Sequence, residues 1–235
     1  MSPRRTARLA GLLYLAVAVL GGWAQLTRTQ VHVPDDAAAT AAAIADHATA
    51  MRLAVGADVL DFTAFAVFGL VLQRLLHHVH ARAAAALVLG TWLSAAMGLV
   101  MLTFHVGALT VVTDPAVSSS LTDPDGVALL LLDLQSAAYT LDGVFFTLWM
   151  AAAGFLIARS GMFPRFLAPL VTAGSVAWMV QTLLVLVAPG ASAAADGAVV
   201  VSTAAELTLL GYLLVRGVRR DVGTALPREP SAASA

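Results

Sequence analysis

The chain has 235 residues, of which 60% are hydrophobic and 11% charged, and a formal net charge of −1. Those proportions lie far outside the soluble norm and place the chain in a lipid bilayer. Near-neutrality excludes the basic face a nucleic-acid partner requires. The absence of cysteine removes disulfides, thiol nucleophiles and thiolate metal sites.

The first apolar segment runs from about Leu9 to Leu26, behind Arg4, Arg5 and Arg8. It is long enough to cross a hydrocarbon core of about 30 Å. The arginines, the apolar run and GGWAQ imitate a cleaved leader. Against that, Gly11, Tyr14, Ala18, Gly21 and Gln25 fall on one helical stripe, which reads as a packing face for a neighbouring helix. From Thr27 to about Ala50 the chain is expected to leave the membrane, with Pro34, Asp35 and Asp36 opening an alanine-rich external helix that acts as a lid or collar. Segment two spans about Leu53 to Leu76 and carries Asp58 and Asp61 on one face; segment three covers about Ala83 to Val112, with Ser94, Gly98, Met101 and His105 on one stripe.

The loop VTDPAVSSSLTDPDG cannot continue a helix and divides the chain into two three-helix halves. Segment four, Val127 to Ser160, carries Asp133 and Asp142 within a long apolar run. The turn SGMFPR leads to segment five, about Phe166 to Val187, and APGASAAADG leads to segment six, about Ala198 to Val215. Residues 1–222 are read as a single transmembrane domain, followed by a disordered tail over 223–235. The arginines other than Arg28 and Arg52 gather at the termini and at two turns, so both termini are expected in the cytoplasm. The fold class is therefore all-α, a polytopic six-helix bundle with one extra external helix, in a bacterial plasma membrane.

The segments ARLAGLLYL, VPDDAAATAAAI, MRLAVGADVLDF, LLDLQSAAYTLDGVFF, SGMFPRFLAPL and AAELTLLGYLLVRGV, in this order and spacing, resemble the bacterial membrane proteins grouped as domain of unknown function 4386. The resemblance covers nearly the whole chain. It implies a six-helix integral membrane fold and brings no established chemistry. Relatives often carry histidine after LDL where this chain has Gln135, so a histidine-dependent role would not carry over.

Depth follows from counting about 1.5 Å per residue along straight helices from the inner arginines. Asp61 and Asp58 come out roughly 20 and 24 Å above Arg74, and Asp142 about 26 Å above Arg159. Gln181 lies about 24 Å above Arg165, Gln25 about 26 Å above Arg8, and Glu206 about 15 Å above Arg216. Asp133 and His105, at about 39 and 35 Å, fall at or beyond the outer boundary.

A carboxylate at mid-bilayer costs about 2.5 to 3.5 kcal/mol, so acids on three helices should face a shared cavity open to the outside. Helical spacing assigns Gln135, Tyr139, Asp142 and Phe146 to its wall from segment four, Ser202, Thr203 and Glu206 from segment six, and Asp58, Asp61 and Phe65 from segment two. Trp178 and Gln181 join them from segment five. For Asp58 and Asp61 the competing reading is an acidic first helical turn at the interface; for Gln25 and Gln181 it is an interhelical hydrogen bond that fixes packing. His77, His78 and His80 sit beside Arg74 and Arg82 and read as solvated side chains, so no metal or other cofactor is expected.

No motif for hydride transfer, nucleotide hydrolysis, zinc proteolysis or serine hydrolysis occurs. The mixture of acids and aromatics suits an apolar small-molecule ligand with a polar end, for instance an isoprenoid. Asp142 and Glu206 are the acid and base candidates, and Phe65, Phe145, Phe146, Trp149 and Trp178 are placed to shield cationic intermediates. Two alternatives stand beside this reading. One is a proton-coupled transporter, for which a homo-oligomer would supply the missing helices; the other is a structural protein whose acids only specify packing.

Overall fold

Apolar runs of this length can satisfy their backbone groups in lipid only as helices, and proline occurs in them only within first turns, where it is tolerated. The computed structural model describes residues 2–219; the tail expected to be disordered lies outside the described residues. Its helices are α1 (Pro3–Val31), α2 (Ala37–Asp46), α3 (Ala48–Leu76), α4 (Ala81–Thr113), the single turn α5 (Pro115–Ser118), α6 (Pro124–Ser160), α7 (Leu167–Val187) and α8 (Ser192–Val215). Among the described residues there is no strand, and six helices are long and apolar enough to span a membrane: α1, α3, α4, α6, α7 and α8.

These six form a closed ring in chain order, each packed on its sequence neighbour, and α8 returns to α1 along the slenderest seam. The most extensive interface is α4 on α6. The Asp-Pro loop is therefore a break in the chain and not in the bundle, because the two three-helix sets meet across their largest contact. The Arg8 guanidinium donates to the Val215 carbonyl at 3.2 Å, which places the start of α1 and the end of α8 at one end of the bundle. We refer to this as the terminal end and to the opposite one as the α2 end. Gly161, at φ +65°, closes α6 in the left-handed conformation that a side chain would strain.

At the terminal end the helices touch backbone to backbone. A Cβ on Gly11 would lie 2.6 Å from the Leu214 nitrogen, and one on Gly90 2.7 Å from the Trp149 nitrogen. Small residues permit that approach, and dispersion then holds helices that lipid alone would not drive together. Tyr14, Phe68 and Trp149 fill the centre: Tyr14 stacks on Phe68 at 4.7 Å, and Trp149 meets both edge-on.

At the α2 end a smaller core joins Val31, Ile44, Met51, Leu109 and Leu132. The expected external helix is α2, capped by Asp36 accepting from the Ala39 N–H at 2.8 Å, with Ile44 turned down onto that core. The entry turn is tied by Thr40, whose hydroxyl donates to the Val33 carbonyl at 3.0 Å. α6 has 37 residues, about 55 Å of helix against a hydrocarbon core of about 30 Å, so it projects beyond any bilayer the ring spans.

Two sequence expectations change here. α1 does not end at Leu26 but runs to Val31, keeping Arg28 inside the bundle. α3 starts at Ala48, so Asp58 and Asp61 lie in its third and fourth turns and are not first-turn acids. His105 is fully buried on α4, and neither ring nitrogen has a hydrogen-bond partner among the described residues.

Candidate functional site

Between the two cores the ring is hollow. A cavity of about 700 Å³ receives side chains from all six spanning helices. α1 supplies Gly21, Gln25 and Arg28, α3 supplies Asp58, Asp61, Phe62 and Phe65, and α4 supplies Ser94 and Met101. α6 adds Tyr139, Asp142 and Phe146, α7 adds Trp178 and α8 adds Glu206. The aromatic side is continuous: Phe146 lies 5.2 Å from Phe65 and 4.9 Å from Trp178, ring centre to ring centre.

Periodicity explains much of this wall. The α1 stripe splits in two: Gly11 packs against the α8 backbone, whereas Ala18, Gly21 and Gln25 face the void. Arg28 continues the same stripe at the next three-residue step. Its guanidinium donates to Asp58 Oδ2 at 2.5 Å and to Gln25 Oε1 at 3.0 Å, and both charged side chains are buried. Sequence reasoning missed Arg28 because an arginine after an apolar run reads as a helix end; extending the stripe by one step would have found it.

The acids differ in how far they are satisfied. Glu206 is clamped, with the Tyr14 hydroxyl donating to Oε2 at 2.8 Å and the Trp178 indole N–H to Oε1 at 2.6 Å. Asp142 accepts from the Ser94 hydroxyl at 2.8 Å through Oδ2, while its Oδ1 is buried without a partner among the described residues. Asp61, 8% exposed, has no hydrogen bond among the described residues and lies against Gly21, where a Cβ would come 2.8 Å from its Oδ2.

Two smaller voids adjoin the main one. A void of about 390 Å³ between α1 and α8 is lined by Gln181, Thr203 and Leu207 and shares Val17, Ala18, Trp178 and Glu206 with the main cavity. Another, of about 170 Å³ towards the α2 end, is lined by Gln25, Arg28, His32, Gln135 and Ser136. Tyr139 lines all three.

The structure thus brings Asp58, Asp61, Tyr139, Asp142, Phe146, Trp178 and Glu206 into one cavity. Gln135 and Gln181 lie instead in the two side voids. Neither Gln25 nor Gln181 makes an interhelical hydrogen bond among the described residues: Gln25 accepts from Arg28 of its own helix, and Gln181 Oε1 is unpaired. Ser202 is buried and donates to the Val199 carbonyl of its own helix. Trp149 belongs to the packed core, its indole fully buried, and not to the cavity wall. Asp133 lies outside, accepting from His32 Nε2 at 2.8 Å with half its side chain exposed. Among the described residues no cluster of histidine and acidic side chains has the geometry of a metal site.

Fold and site together define a polytopic helical membrane protein with a carboxylate- and aromatic-lined internal cavity. A family model described as Domain of unknown function (DUF4386) matches residues 9–217, and the chain belongs to that family. No curated protein and no solved structure matches it.

Proposed function

We propose that the protein binds a lipid-like small molecule in the main cavity, with the polar end at Asp61 and Asp142 beside Phe65, Phe146 and Trp178 and the apolar part towards the α1–α8 seam. The observation that carries this reading is a single void of about 700 Å³, of ligand size, shared by all six helices and combining one apolar wall with a few polar groups. Access is assigned to the α1–α8 seam, where the adjoining void continues the cavity towards Leu207, an exposed side chain. A ligand dissolved in the bilayer would enter there without crossing water. In the membrane, we place the termini in the cytoplasm and the α2 end outside, on the distribution of arginines, in a bacterial plasma membrane.

If the ligand is converted, Asp142 is the acid or base group, since one oxygen is oriented by Ser94 and the other is free. Glu206, whose oxygens already accept two hydrogen bonds, positions Trp178 in the wall. A through-going transport path has less support, because the void stops above the tightly packed terminal end.

The test is extraction and mass spectrometry of small molecules that co-purify with the protein in nanodiscs. Ala18→Phe, which fills the junction of the two larger voids, should abolish retention of a stoichiometric ligand. Val200→Phe, on an exposed face 68% accessible, should not. Equal retention by the parent and Ala18→Phe would dispose of the proposal.

A further inference from the structure

The acidic groups around the main cavity outnumber the basic ones. Asp58, Asp61, Asp142 and Glu206 line it, and Arg28 is the one cation among its described lining residues. Arg28 is spent on Asp58, and the Glu206 oxygens are held by Tyr14 and Trp178. Among the described residues that leaves Asp142 with a single hydroxyl donor and Asp61 with none, although Asp61 is more than nine-tenths buried and borders the void. An anionic end group would meet these carboxylates with no free cation to receive it. One helical turn from Asp61 and Asp142, on the same helices, stand Phe65 and Phe146, with Trp178 4.9 Å from Phe146, and aromatic rings attract a positive charge.

Resting on the ligand-binding reading above, we infer that the polar end of the ligand is an organic cation, an amine or quaternary ammonium. It is held by the Asp61 and Asp142 carboxylates and the aromatic wall, with its hydrocarbon part towards the α1–α8 seam. Carboxylates supply the long-range attraction and the rings replace the hydration that the ammonium loses, a division of labour that selects a bulky, weakly hydrated cation over a metal ion.

The experiment uses the full chain in phosphatidylcholine nanodiscs and three probes of equal chain length: dodecyltrimethylammonium, dodecanol and dodecanoate. Saturable binding is measured above that of empty nanodiscs. The expected result is tighter binding of the cation than of the alcohol by at least about tenfold, with no saturable dodecanoate binding. Asp61→Asn and Asp142→Asn should each weaken the cation by about tenfold and leave dodecanol unchanged, whereas Asp133→Asn should alter neither. Dodecanol binding as tightly as the ammonium would overturn the cation assignment while leaving the cavity reading in place. Absence of saturable binding for all three probes would remove both. The probe series on the parent chain decides the matter even if an Asn variant fails to fold.

Discussion

The two ends of one helical ring solve opposite problems. At the terminal end, Gly11 and Gly90 bring backbones together and Tyr14, Phe68 and Trp149 fill what remains. Towards the α2 end the same helices carry Asp58, Asp61, Asp142 and aromatic side chains around an open space. Packing by dispersion supplies rigidity where no ligand is served. Polar groups, which weaken a membrane core unless satisfied, are gathered where a void can receive something. The aromatic residues Phe65 and Phe146 belong to both, forming the floor of the cavity and the roof of the packed core.

The contrast is sharpest in large-to-small substitutions. Trp149→Ala should destabilise the protein by about 3 to 5 kcal/mol, because a fully buried indole leaves a hole that its neighbours cannot fill. Val17→Ala, on the wall of an existing void, should cost only about 0.5 to 1.5 kcal/mol. Denaturant titration in a common detergent measures both, and equal losses would mean that the hollow is not a feature of the folded protein.

A loss of the same order is expected at the ion pair in the cavity wall. Arg28→Ala strands the buried Asp58 carboxylate and should cost about 3 to 5 kcal/mol. The double variant Arg28→Met, Asp58→Leu should come back to within about 1 kcal/mol of the parent, since an apolar pair removes both the attraction and the desolvation. A double variant no better than the single one would assign Arg28 a role beyond neutralising Asp58.

Smaller effects are expected at Glu206. Tyr14→Phe keeps the ring but leaves one buried Glu206 oxygen without its donor, at about 1 to 3 kcal/mol. Glu206→Gln should cost a similar amount, because an amide offers one acceptor oxygen where Tyr14 and Trp178 need two. If Glu206→Gln is neutral in the same titration, the clamp does not hold the Trp178 wall in place.

Much of this site was legible in the sequence. Acids interrupting apolar runs cannot face lipid, so helical spacing was enough to turn Asp61, Tyr139, Asp142, Phe146 and Glu206 towards one interior. What the sequence concealed were relations between distant segments. Nothing local pairs Tyr14 with Glu206, 192 positions away. Counting along a helix gives depth and not burial, so it could not show that His105 is enclosed by protein near the α2 end. Gln135 and Gln181 carry the right polarity and period, but a period of 3.6 cannot distinguish one void from its neighbour.

The smallest expected effect isolates burial as the variable. Arg28 lies in the last turn of α1 and His32 caps that helix four residues on, and each contacts a carboxylate on another helix, Asp58 on α3 and Asp133 on α6. In the inner pair both side chains are below one-tenth exposed; in the outer pair Asp133 is 53% exposed and His32 24%. Water already solvates the outer charges, so joining them gains little and separating them strands nothing. His32→Ala should therefore cost no more than about 0.5 kcal/mol, and added salt should reduce even that. The Arg28→Ala loss should persist in high salt, since screening ions do not reach a pair enclosed by protein. Comparable losses at the two positions, or equal sensitivity to salt, would show that the α2 end is wetter than its packing implies and that Arg28 is accessible from outside.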